Sequence, residues 1–225
     1  MRIVTFDTPH RQRHFEFFRN MNHPHFSVCA HLPVGPWVHE ARAREQRLTS
    51  SLVYLLSRAA NAIPEFRQRI REAEVVEHEV VHPSFAVATD ETDVFSFCEV
   101  ELGDDMPAFL ARAEEQIAAM RASPSIEDVV GRDDYLFMSA FPWVSFTSVT
   151  HPMQFHPHDS VPRITWGKLY NPGSALMLPV SVQAHHALVD GVHMGRFFER
   201  LDALAREPAQ LMDRGQTPNS STTRF

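Results

Sequence analysis

Little in this chain could act as a covalent staple. Its 225 residues include two cysteines, Cys29 and Cys98, too few for the disulfide framework of a small secreted domain. Neither has a CxxC partner, which argues against a redox or thiolate-metal site. Both lie in apolar, strand-like stretches (Phe26 to Ala30, Val94 to Val100), where a free cysteine behaves as a small buried hydrophobe. Long apolar runs are missing too. Nothing approaches the ~20 residues that cross a bilayer, and Met1 to Thr8 lacks the basic-then-apolar order of a secretory signal. The expected location is the cytoplasm. A basic block is also absent: the formal net charge is −7 with histidine neutral. Arg67, Arg69 and Arg71 alternate with other residue types, so nucleic acid is not an expected partner. Internal repeats, low-complexity linkers and a clear domain boundary are lacking as well.

What remains is an ordinary globular composition, 44% hydrophobic and 22% charged, at a length that can bury a sizeable core without staples. Thr8-Pro9 is a helix start, since Thr caps and Pro suits the first helical position. Strand character follows from Phe26 to Leu32, with Pro33, Gly35 and Pro36 as a break. Trp37 to Gln46 predicts a short helix. Leu52, Leu55, Leu56, Ala59 and Ile63 predict a second from about Ser50, stopped by Pro64. The middle predicts strands at Val75 to Val81, Phe85 to Thr89 and Val94 to Glu101. A helix over Asp104 to Met120 and short extended pieces at Tyr135 to Ser139 and Trp143 to Phe146 follow. Arg163 to Tyr170 and Ala175 to Ala184 predict a hairpin around Asn171-Pro-Gly-Ser174. Asp190 to Leu204 predicts the last long helix. The fold class expected is α/β, one domain over 1–207, with a loose polar tail over 208–225.

One stretch stands out chemically: Gln183-Ala-His185-His186-Ala-Leu-Val-Asp190-Gly191. A strand delivers two histidines to its end, and four residues later an Asp-Gly opens a helix. Imidazole has an unperturbed pKa near neutrality, so a rigidly held histidine can take a hydroxyl proton and return it. Taken singly, each residue also has a plain structural role: one histidine packs, Asp190 caps a helix, Gly191 makes a turn.

The combined pattern resembles the HHxxxDG signature of the chloramphenicol acetyltransferase superfamily. That set includes dihydrolipoyl acyltransferases and the condensation domains of peptide synthetases. Four blocks in order resemble the bacterial chloramphenicol acetyltransferases in particular: Arg11 to Phe18, Ser139 to Phe146, Ile164 to Lys168, and Leu178 to Phe198. The resemblance implies a two-layer sandwich, a mixed β-sheet flanked by helices. It implies an acetyl-CoA-dependent O-acetyltransferase acting on a hydroxyl of chloramphenicol, with no metal. The resemblance makes His186 the general base, Ser139 the donor to the oxyanion, and Thr165 a support of the same intermediate through a water. Asp190 is implied to pair with Arg11 and so hold the loop beside the base. The first histidine, His185, is left as packing. The resemblance also implies a homotrimer with sites at subunit interfaces, where His186 faces a neighbour's pocket containing Phe18 and Phe26.

The acceptor pocket departs from the family pattern. Phe26 and Phe95 match its lining aromatics, but Phe18 stands where a tyrosine is usual. Val149 and His151 replace a phenylalanine and a leucine, and Asn22 a leucine. The chemistry is thus expected to hold, with two alternatives for the acceptor end: a different small alcohol, or an inactive relative that only binds CoA. The dihydrolipoyl branch would need a lipoyl arm or linker, which the sequence lacks. Histidines 151, 156 and 158, and His23 with His25, lie close in sequence. They show no helical i, i+4 pair with a carboxylate of the HExxH kind, which argues against zinc.

Overall fold

The computed structural model describes residues 1–89, 93–126, 131–154 and 159–213. Thr8 caps the first helix, α1 (Pro9–Arg19), its hydroxyl accepting from Arg11 N at 3.1 Å. Strand β2 (His25–Pro33) follows a two-residue β1 (Arg2–Ile3) and this helix. The strand ends at Pro33 as expected, and Gly35 and Pro36 open α2 (Gly35–Ala43), because proline in a first turn sacrifices no helical hydrogen bond. Helix α3 (Leu48–Asn61) is buried along most of its length, and a 3₁₀ turn (Pro64–Arg67) takes over where Pro64 was expected to stop it.

Two strands lie where no alternation announced them, β1 and β3 (Gln68–Arg71). With β4 (Glu74–Glu77) they form a small antiparallel sheet, β1-β4-β3. Alternating arginines hide β3. Arg69 is fully buried, its guanidinium donating to the carbonyls of Phe66, Gln68, Asp133 and Tyr135. Burial lowers its pKa to about 10, so it remains charged at neutral pH.

The main sheet has six strands in the order β2-β9-β8-β7-β5-β6. Here β5 is His82–Ala88, β6 Phe95–Glu99, β7 Tyr135–Phe141, β8 Arg163–Gly167 and β9 Met177–His185. The pairs β2/β9, β9/β8 and β5/β6 are antiparallel, while β8/β7 and β7/β5 are parallel. The sheet is therefore mixed. Helix α4 (Met106–Ala122) connects β6 to the β7 region, and α5 (Gly191–Arg206) follows β9.

Alternation assigns the two faces of this sheet. Phe85, Met138, Ile164, Val180, Val182 and Ala184 pack into one core with the inner sides of α2, α3, α4 and α5. The registers put a different set on the opposite face. Cys29, Ser181, Thr165 and Ser139 form one row across four strands, and Ser27, Gln183, Arg163 and Phe137 form the next. Among the described residues no helix packs on this face; the segment at His151 lies over Thr165 and Gln183, and Phe95, Phe141 and Trp143 stand exposed beside it. The architecture is a two-layer α/β sandwich.

Two sequence expectations are corrected. Trp143 to Phe146 is not extended: it turns back over β8, Val144 N donating to Phe141 O, and Val144 O accepting from Lys168 N. The tail does not loosen at 208. Pro208–Asp213 packs as a short α6 (Ala209–Met212) with Leu211 and Met212 buried, because those two apolar residues reach the core cluster. Residues 214–225 lie outside the described residues.

Candidate active site

His186 sits just past the C-terminal end of β9, and its backbone N–H donates to Pro24 O at 2.7 Å. The antiparallel register of β2 on β9, Phe26 opposite Ala184, brings Phe26 alongside it. The imidazole lies nearly parallel to Phe18, centroids 4.0 Å apart at 14°, and leans on Phe26 at 4.4 Å. A ring held between two aromatic faces has few rotamers left, and rigid placement is what a proton-transferring imidazole needs. Its Nδ1 is buried and has no hydrogen-bond partner among the described residues.

The turn after His186 is tied down from α1. Arg11 Nη2 donates to Ala187 O at 2.7 Å and to Leu188 O at 3.2 Å. The resemblance implies a direct Arg11–Asp190 pair; among the described residues no ion pair or hydrogen bond joins the two, although the Asp190 charge favours the Arg11 cation. The arginine is spent on those two carbonyls, and Asp190 serves as the N-cap of α5, with Oδ1 accepting from Gly191 N at 2.6 Å. The backbone bond to Gly191 is the main reason the Asp190 carboxyl sits below its ordinary pKa. Between the two stands His14, its Nδ1 3.1 Å from Arg11 Nη1 and its Nε2 3.5 Å from Asp190 Oδ2. His14 belongs to the block from Arg11 to Phe18, yet no role was read for it. The usable signal was its i, i+3 spacing from Arg11 and i, i+4 spacing to Phe18, which puts all three on one helix face.

Ser139 and Thr165 face each other across the parallel pair β7/β8. Thr165 is fully buried, and its Oγ1 lies 2.7 Å from His151 Nε2. His151 is anchored in turn by its backbone N–H, which donates to Gln183 Oε1 at 2.8 Å. Burial, followed by the charge of Arg163, lowers the His151 pKa, which favours a neutral ring at pH 7. Val149 lies in the same segment, two residues from His151, and is half-buried. Histidines 156 and 158 lie outside the described residues. Among the described residues no group of three or more His, Cys, Asp or Glu side chains is arranged to hold a metal ion.

The chain thus divides its candidate residues into separate groups. Thr165 is opposite Ser181, five residues before His186, which puts the Ser139–Thr165 pair about 17 Å from His186 in the strand direction, and Ser139 two strands across as well. Phe95 lies on the far edge strand, five strand spacings from Phe26, or about 24 Å. Phe18 and Phe26, expected to face His186 from a neighbouring subunit, contact it within their own chain, because β2 is the immediate neighbour of β9.

Residues 1–202 match the family model described as "Chloramphenicol acetyltransferase". The chain belongs to the chloramphenicol acetyltransferase family. A chloramphenicol acetyltransferase of Klebsiella sp is 29% identical over 198 residues, 88% of this chain and 90% of the relative. Chloramphenicol acetyltransferase 3 of Escherichia coli is 29% identical over 207 residues, 91% of this chain and 97% of that one. A solved chloramphenicol acetyltransferase superposes with a TM-score of 0.79 at 23% identity, covering 91% of this chain and 99% of that chain. The truncated catalytic core of a 2-oxoacid dehydrogenase multienzyme complex from Thermoplasma acidophilum superposes at 0.67 and 17% identity, covering 92% and 99%. At those identities the two structures speak for the fold. Among the described residues no helix is long and apolar enough to cross a membrane.

Proposed function

We propose that this member of the chloramphenicol acetyltransferase family transfers an acetyl group from acetyl-CoA to a hydroxyl of chloramphenicol. His186 is the general base, and transfer occurs directly within a ternary complex. The observation that carries the reading is the His186 imidazole, fixed at the end of β9 between Phe18 and Phe26. His186 removes the hydroxyl proton as the oxygen attacks the thioester carbon. The Ser139 hydroxyl donates to the oxyanion of the tetrahedral intermediate, with Thr165 in support. When the carbon–sulfur bond breaks, His186 returns its proton to the CoA thiolate. No covalent acetyl-enzyme forms, and no metal is needed. A base and an oxyanion donor are each worth on the order of 10² or more in rate.

The sheet geometry bears on assembly. A base about 19 Å from its oxyanion serine within one sheet cannot act on the same carbonyl carbon. A second copy must bring Ser139 to His186. The exposed aromatics beside the polar face, Phe95, Phe141 and Trp143, mark the surface such a copy would cover. A homotrimer with interfacial sites, in the cytoplasm, satisfies this. The half-buried His151 and the hydroxyl-free Phe18 make the acceptor end differ from the family pattern. Another small alcohol is therefore the second reading of the acceptor.

CoA-thiol release from acetyl-CoA, with and without chloramphenicol, tests the proposal in the wild type beside His186→Ala. Chloramphenicol-dependent release lost in the variant supports both acceptor and base. Release only with another alcohol moves the acceptor, and release that survives His186→Ala sinks the mechanism.

A further inference from the structure

Helix α1 turns one face toward the base, presenting Arg11, His14 and Phe18 at helical spacing. A guanidinium can only donate hydrogen bonds, so the 3.1 Å contact with Arg11 Nη1 makes His14 Nδ1 the bare, accepting nitrogen. The proton of neutral His14 is then on Nε2, and this nitrogen faces Asp190 Oδ2 at 3.5 Å. The ring also packs on Phe18 at 4.7 Å and meets the His186 ring edge-on at 5.9 Å. Phe18 is in turn the ring stacked on His186. Arg11 completes the circuit through its bonds to the carbonyls of Ala187 and Leu188, the two residues after the base.

We propose that His14 is a positioning residue for His186, the neutral imidazole that links Arg11 to Asp190 beneath the turn carrying the base. It replaces the direct arginine–aspartate pair with a three-membered chain, Arg11–His14–Asp190. The side chains facing it are Arg11, His10 and Phe18 from α1, and Asp190 and His186 from the turn. A second proton on His14 would set an N–H against the Arg11 N–H and break the chain at that point. Burial and the Arg11 charge lower its pKa accordingly. The inference rests on His186 being the base.

The test uses the full chain with His14→Phe, which keeps a flat ring without polar atoms, and His14→Gln, whose amide both accepts and donates. The expected result is a kcat lowered at least about tenfold in His14→Phe, with KM for acetyl-CoA nearly unchanged. His14→Gln should recover most of that loss. A second readout does not depend on turnover: the rate of His186 carbethoxylation, followed peptide by peptide by mass spectrometry. It should change in His14→Phe and return toward wild type in His14→Gln. Equal carbethoxylation rates in all three proteins would overturn the role of His14, as would an unchanged kcat in His14→Phe. A wild type that transfers acetyl to no alcohol would defeat the proposed function instead, and the carbethoxylation rates would still decide the His14 linkage.

Discussion

His186 is oriented mainly by packing: two phenylalanine faces and one backbone hydrogen bond hold it, and its buried Nδ1 has no partner in the described chain. An imidazole held by shape depends on its neighbours' volumes, which is why Phe18 and Phe26 matter to the proposed base although they carry no polar group. In the proposed mechanism Ser139 has a different task, since its hydroxyl is useful only once negative charge develops on the substrate. Ser139→Ala is therefore expected to lower kcat about 10²-fold with little change in KM for acetyl-CoA. Steady-state kinetics separate the two parameters, and a KM effect without a kcat effect would show that Ser139 binds and does not stabilise. At this scale His186 was legible because a pair of histidines followed by Asp-Gly is a rare string. His14 was not. Arg11 and Phe18 share its helix face, but its contact with Asp190 joins distant residues, and nothing local signals that one.

Among the elements, the turn from Pro142 to Phe146 shows how close packing overrides pattern. Trp143 to Phe146 has strand-like composition, yet the segment lies across β8 at Gly167. A Cβ there would come within 2.7 Å of Val144 O, 2.9 Å of Pro179 Cγ and 3.0 Å of Phe146 Cε1. Glycine lets the turn lie this close to the strand that carries Thr165. Gly167→Ala is expected to destabilise the fold by about 1–3 kcal/mol through overpacking. Urea unfolding should show a lower midpoint with an unchanged slope, and an unaltered midpoint would mean that the turn yields freely. The long helices and the β8/β9 hairpin were readable because each shows its own period over many residues. Strand β3 was not, since the fully buried Arg69 reads as solvent-facing until four carbonyls are seen around it.

For the whole molecule the decisive feature is the distance between groups that must meet. His186, the proposed base, lies at the β2/β9 end, and Ser139, the proposed oxyanion donor, at mid-sheet two strands across, about 19 Å away. If sites form between copies, His186→Ala and Ser139→Ala subunits can complement each other. Each variant alone is expected to be nearly inactive, while co-refolded mixtures regain activity, because some sites then receive His186 and Ser139 from intact donors. Mixtures no more active than the separate variants would mean that each subunit works alone. Exposed aromatics beside the polar face, Phe95, Phe141 and Trp143, would gain a role if another copy covered them.

The sequence alone was enough to establish the α/β class, the long helices, the hairpin that ends at the base, and the HHxxxDG string. These depend on local periodicity and on residues adjacent in the chain. Only the tertiary structure decided that Phe18 and Phe26 flank His186 in the same subunit, that His14 stands between Arg11 and Asp190, and that Thr165 is bonded to His151. Each of those contacts joins residues at least 14 positions apart, apart from His14 with Arg11 on one helix face. Which such pairs meet is set by strand order and sheet register, which no single segment encodes.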